Sequence, residues 1–356
     1  MKRQVHQLLT SLSSGDAIGN EALAIQARLR EAGFGSDIFA EHWDVAMVER
    51  CRPLHEYRQV SSPETVCVYH FSIGSAAGRL IYHAPDRLVS IYHNITPAHF
   101  FVGFHGHLAG LCYHGRRELE AFAERTALGL GDSEFNRREL EAAGYRSTAV
   151  LPIVLDWQSY AGPVSPVVRR LYGDDRTNVL FVGRIIPNKR IDDLIRSFAF
   201  YQRHLEPKSR LLLVGDYRGH ERYHRRLLEL IEELRVKNVV LTGHVAQDDL
   251  LAYYEVADVF VCLSEHEGYC VPLVEAMNAG VPVIAYAAGA VEGTLDGGGV
   301  LLREKPPGLV AELAHALVTD ETLRARTLET QRRAVERVRA RDFGALLLDR
   351  LAPVLP

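Results

Sequence analysis

Two carboxylates, Glu267 and Glu275, stand eight positions apart in "EHEGYCVPLVEAM" (Glu265 to Met277), with apolar segments on either side. Pro272 suits the first turn of a helix and Gly280 its end, so "PLVEAMNAG" reads as a short helix after the apolar run "DVFVCLS" (Asp258 to Ser264). That places Glu267 in a loop and Glu275 in the first helical turns, with the backbone amides of Tyr269, Cys270 and Val271 at the helix start turned toward a ligand. Carboxylates accept from paired hydroxyls, so Glu275 suits a ribose diol and Glu267 a sugar hydroxyl. The same residues also read as a glutamate complementing a helix dipole and a solvated one.

Three further loops carry candidates. In "GRIIPNKRIDDLI" Arg184 and Lys189 flank a turn marked by Pro187 and Asn188, with a helix beginning near Arg190. Two cations beside the positive end of a helix dipole favour a bound anion, a diphosphate above all; a solvated basic turn fits them equally. In "SSGDAIGNEA" Gly15, Asp16, Gly19 and Asn20 form a glycine-containing turn from strand to helix. The glycines would admit a phosphate or sugar close to the backbone, although a purely structural turn is the simpler reading. In "YHNITPAHFF" His93 and Asn94 end a strand, where an imidazole either meets a ligand or serves as a hydrogen-bonding residue.

The elements that must position these loops alternate. Apolar runs at Val5 to Leu12, Val66 to Ile73, Arg87 to His93, Asn178 to Gly183, Arg210 to Gly215, Asn238 to Gly243, Asp258 to Ser264 and Val281 to Tyr286 read as strands. Segments of helical periodicity lie between them, at Asn20 to Gly33 and Tyr223 to Val236. Such alternation predicts parallel sheets covered by helices on both faces, with ligands beyond the carboxyl ends of the strands. A chain of 356 residues suits two such domains. The Pro, Gly and Ser cluster "YAGPVSP" (Tyr160 to Pro166) is the linker candidate.

Composition removes several classes. Forty-one Lys and Arg against 45 Asp and Glu leave a formal charge of -4, so no nucleic-acid partner is expected. The five cysteines are scattered and never spaced C-x-x-C, which speaks against a disulfide framework and a zinc site and for a reducing, cytoplasmic setting. No run approaches the roughly 18 consecutive apolar residues of a membrane span. Without a G-x-G-x-x-G after the first strand, a dehydrogenase is disfavoured.

Together the four loops resemble the retaining glycosyltransferases of family 4. "GRIIPNKRIDDLI" is similar to that family's G-R-x-x-x-x-K segment and "EGYCVPLVEAMNAGVPVIA" to its E-x7-E segment, while "YHN", "LGDSEFNRREL" and "VLPIVLD" occur in the expected order. The resemblance implies an α/β chain of the GT-B fold, two Rossmann-like domains facing across a cleft. Residues 1–160 would form the acceptor domain, 161–335 the nucleotide-sugar donor domain, and 336–356 a helix crossing back to the first.

By the same resemblance Arg184 and Lys189 would bind the donor diphosphate, Glu275 the ribose and Glu267 the transferred sugar, with the backbone of Gly268 to Val271 beneath that sugar. His93 would contact the donor sugar, so Arg184, Lys189, Glu267 and His93 would be the catalytic residues. Gly15, Asp16, Gly19 and Asn20 would lie near the phosphates and acceptor. The sequence departs from the family pattern at Arg190 and Cys270, where Gly is frequent, and at Tyr269, where Phe is. The implied reaction moves a hexose, from GDP-mannose or a UDP-sugar, to a glycan, lipid-linked or small-molecule acceptor with retained configuration. No metal or other cofactor is expected. The similarity to mannosyltransferases of polysaccharide assembly favours GDP-mannose, and the aromatic and basic stretch Pro97 to Ala123 offers a peripheral membrane contact at the inner face, or an ordinary connecting helix. A GT-B epimerase or phosphorylase and a nucleotide-binding module without turnover are the alternatives.

Overall fold

The computed structural model describes residues 3–13 and 15–355, so Ser14 of the glycine turn lies outside the described residues. The chain divides into two compact units: residues 1–99, 106–155 and 341–356 form the first, and 100–105 and 156–340 the second.

The first unit is built on seven parallel strands: β1 (Val5–Leu12), β2 (Ile38–Trp43), β3 (Arg52–Pro53), β4 (Val66–Phe71), β5 (Arg87–Tyr92), β6 (Thr126–Gly131) and β7 (Thr148–Val150). Their order is β3-β2-β1-β4-β5-β6-β7, which reverses direction between β1 and β4. β4 is buried along its whole length, as both faces of a helix-covered parallel sheet require. The helix Ala17–Glu31 packs Ile25 and Leu29 against Val5, Val66 and Val68. Leu347 and Leu351, from the last helix (Phe343–Leu351), complete that same core. The helix Gly106–Phe122 buries Ala109, Cys112, Leu119 and Phe122, with Phe122 against Tyr69 and Phe71, so its apolar stripe faces the core of this unit.

The second unit carries β8 (Thr177–Val182), β9 (Ser209–Val214), β10 (Val239–Gly243), β11 (Val259–Cys262), β12 (Val283–Tyr286) and β13 (Val300–Leu302), again parallel, in the order β10-β9-β8-β11-β12-β13. Every strand expected from the sequence is present within one or two residues. Among the described residues no helix is long and apolar enough to cross a membrane.

Candidate active site

In the second unit the loops after β8 and β11 are knitted together. Asn188 donates its side-chain amide to the His266 carbonyl at 3.1 Å, and the Glu265 amide donates to the Asn188 carbonyl at 2.8 Å. This brings Lys189 Nζ to 2.7 Å from both carboxylate oxygens of Glu267. Both side chains are largely covered, 18% and 6% exposed. Burial opposes the charged amine, but the Glu267 carboxylate outweighs it and holds the Lys189 pKa above its usual value. Lys189 and Glu267, expected on diphosphate and sugar respectively, are thus partners of each other.

Arg184 follows Gly183 at the end of β8 and is exposed. Among the described residues no carboxylate pairs with it; its one polar neighbour is His220, at 3.4 Å. Burial, the Arg184 guanidinium and His105 push His220 down to about 4, so the imidazole is neutral near pH 7 and Arg184 keeps an uncompensated charge. His220 also lies against Phe101 and His105, from the short segment 100–105 that belongs to this unit.

Glu275 sits in the helix Val271–Asn278. Tyr254 donates to Oε2 at 2.8 Å and Tyr160 to Oε1 at 3.2 Å. Burial raises the Glu275 pKa, and the two phenols draw it back. Sequence reasoning missed both tyrosines: Tyr160 stands in the stretch read as a linker, and Tyr254 in a helix with no motif of its own. It also missed Gly289, whose φ of +59° and close approach to the Glu267 carbonyl leave no room for a Cβ. The Ala290 amide donates to that same carbonyl at 2.9 Å.

Gly268, Tyr269, Cys270 and Val271 form the connection from Glu267 to this helix. Tyr269 is buried and its carbonyl accepts from Thr294; Cys270 is left-handed, with φ +73° and ψ +65°. Arg190, the other departure from a family glycine, is left-handed too, with φ +51°. Its guanidinium pairs with Asp192, Asp193 and Glu265, which anchor it in a conformation that glycine adopts without strain.

In the first unit Asp16 caps the helix Ala17–Glu31, its carboxylate accepting from the Gly19 amide at 3.3 Å. Gly15 has φ +76° and Gly19 packs against the Ser13 carbonyl; Asn20 is exposed. His93 is held differently from a free ligand contact. Its side chain is 1% exposed and both ring nitrogens are engaged, Nε2 with His70 Nδ1 at 2.8 Å and Nδ1 with Asp132 at 2.9 Å.

The protonation of this chain of groups follows from its far end. Gln7 donates its amide to the Ala22 carbonyl, so its oxygen must accept from His70 Nε2, at 2.9 Å. His70 Nδ1 is then a bare acceptor, which takes the Nε2 proton of His93. His93 Nδ1 meets the Asp132 carboxylate, with Glu21 at 3.6 Å. The carboxylates prevail over burial and raise His93 to about 9, whereas burial beside that charge keeps His70 neutral. His93 is therefore a buried imidazolium with no ring nitrogen left for a donor sugar. Gln7, Glu21, His70 and Asp132 were not anticipated; the available signal was polar residues at sheet-facing positions, such as His70 within apolar "VCVYHF".

Residues 170–335 match the model of the family described as glycosyl transferases group 1. The chain is similar to O-antigen chain mannosyltransferase B of Escherichia coli, 27% identical over 57% of this chain and 56% of that protein. It is similar also to a GDP-mannose-dependent alpha-mannosyltransferase of Mycobacterium tuberculosis, 30% identical over 62% of this chain and 56% of that protein. The alignments thus span little more than half of these curated relatives. Sucrose-phosphate synthase from Thermosynechococcus elongatus superimposes with a TM-score of 0.77 over 99% of both chains at 20% identity, a likeness of fold.

Proposed function

We propose that this chain, which has the GT-B fold and whose residues 170–335 match the model of the group 1 glycosyl transferases, moves a hexose from a nucleotide sugar to an acceptor hydroxyl, retaining its configuration and using no metal. The observation that carries the reading is the arrangement at the carboxyl ends of β8 and β11, where an uncompensated Arg184 and the Lys189–Glu267 ion pair lie on adjoining loops and the helix that follows carries a Glu275 dressed by two phenols.

As the bond to the diphosphate stretches, negative charge grows on the leaving oxygens. Fixed cations stabilise it without reorganising, so Arg184 and Lys189 supply the electrostatic part of the rate. Glu267 keeps the Lys189 amine charged and in place, and its remaining acceptor capacity suits a sugar hydroxyl. Glu275 accepts from the ribose diol while Tyr254 and Tyr160 fix its orientation. The acceptor hydroxyl attacks on the face the phosphate leaves, and the departing phosphate takes its proton; no protein base is required.

GDP-mannose is the donor favoured here, because two of the similar proteins are named as mannosyltransferases and one of them as GDP-mannose-dependent. The test is incubation of the full chain with GDP-mannose and candidate glycan or lipid-linked acceptors in excess chelator, followed by NMR of the product. An α-linked mannoside formed despite the chelator is the expected result. A β-linked product, or turnover only with added metal, would overturn the retaining, metal-independent reading.

A further inference from the structure

Cys262 ends β11 and is 1% exposed; Cys270 directly precedes the helix Val271–Asn278. Their sulfurs are 4.0 Å apart, and all five cysteines of the chain are free thiols. Cys270 occupies the left-handed region, which strains a residue with a side chain. Such strain persists only where the surroundings enforce it, and here it goes with a second sulfur close at hand.

The pair is also polarised. Cys262 Sγ is 3.2 Å from Ser264 Oγ and 4.0 Å from Cys270 Sγ, and either member of each pair can be the donor. The Cys270 thiol, then Ser264, lower the Cys262 pKa against burial, whereas Cys270 is raised by its neighbour and by burial. The Lys189 ammonium and the Glu267 carboxylate both act on the two sulfurs, in opposite senses. The two thiols are thereby shifted in opposite directions, Cys262 toward easier ionisation and Cys270 away from it.

We propose that Cys262 and Cys270 form a modification site, a dithiol that hydrogen peroxide closes to an intramolecular disulfide, and that the closed form binds nucleotide sugar poorly. The Cys262 thiolate attacks one peroxide oxygen; the O–O bond breaks, leaving a sulfenic acid and a hydroxide that departs as water. Cys270 gives up its proton and attacks the sulfenic sulfur, the S–O bond breaks, and a second water leaves. In sum two thiols lose two electrons and two protons, and the peroxide becomes two waters. The sulfurs must close from 4.0 Å to about 2 Å, the length of a disulfide. That movement pulls on the residue that immediately precedes the Glu275 helix and lies three positions after Glu267. The binding half of the proposal rests on the function argued above; the disulfide half does not.

The experiment treats the full chain with hydrogen peroxide, alkylates free thiols and digests with trypsin. No Lys or Arg lies between Lys237 and Arg303, so both cysteines fall in one peptide. That peptide is expected to lose two hydrogens and to escape alkylation at both sites, reversibly with dithiothreitol. Neither Cys262→Ser nor Cys270→Ser is expected to show this. Peroxide that leaves both sulfurs alkylatable, or drives one to sulfinic acid without a cross-link, overturns the proposal.

In a second arm GDP-mannose is titrated calorimetrically into reduced, oxidised and re-reduced protein. The oxidised form is expected to bind about tenfold more weakly or worse, with recovery on reduction and no peroxide effect in Cys262→Ser. Unchanged affinity in a protein whose disulfide has formed overturns the binding half. A reduced protein that binds no nucleotide sugar overturns the proposed function and the binding half together, while the mass measurement still decides the disulfide.

Discussion

Lys189 and Glu267 are worth more to each other than either is to the fold. Removing one partner of a buried pair strands the other charge, which typically costs about 3–5 kcal/mol, whereas replacing both with apolar residues is often near neutral. Lys189→Ala is therefore expected to lower the urea midpoint of the second unit clearly, and Lys189→Met with Glu267→Leu to restore much of it. Equal loss in the single and double variants would show that the pair is not buried as described. At His93 the measurable consequence is pH dependence. Its folded pKa of about 9 lies above the ordinary 6.5, so its stabilisation is complete below pH 6.5 and is lost as pH rises through 9. The groups facing it are Asp132, Glu21, Asp16 and His70. Burial pushes Glu21 and Asp132 upward as well, and the His93 charge draws both back. The thermal midpoint is expected to fall between pH 6.5 and 9, and Asp132→Asn to flatten the fall. A midpoint that rises over this interval would contradict the imidazolium.

At the scale of elements, the loops after β8 and β11 do the positioning, and they were largely legible. "NVLFVG" and "DVFVCLS" announce strands by their β-branched runs, and Pro272 announces the helix that carries Glu275. What could not be read was which side chains complete the site. Tyr160 reaches it from a distant part of the chain, 115 positions from Glu275, and Gly289 from the loop after β12. β2, β3, β6, β7 and β13 were also missed. "IFAEHW" carries Glu41 and His42, and "TALGLG" holds two glycines, so neither has the unbroken apolar run of a buried strand. Gly289 gives this scale its prediction. Alanine there must occupy a left-handed conformation and meet the Glu267 carbonyl, so Gly289→Ala is expected to cost more than about 1 kcal/mol in denaturant unfolding. A variant as stable as the parent would mean that the two loops are not held together at Glu267.

For the whole molecule, two doubly wound units followed from alternation and length, but the return of the chain could not be derived from periodicity. Residues 341–356 belong to the first unit, where Leu347 and Leu351 are fully buried and the Val354 carbonyl accepts from Arg87 at 2.8 Å. Leu351→Ala is expected to cost about 2–5 kcal/mol, as for other buried leucines, and to lower the unfolding transition of the first unit. The central claim concerns the second unit and nucleotide sugars. Calorimetric titration of the pure chain with GDP, UDP, ADP and their sugars, without added metal and alongside Arg184→Ala and Glu275→Ala, tests it most directly. One nucleotide class is expected to bind, about tenfold or more weakly in each variant, since a lost charge-assisted hydrogen bond is worth about 1.5–3 kcal/mol. If no nucleotide binds, or both variants bind as the parent does, Arg184 and Glu275 are not a donor site and the proposed transfer fails with them.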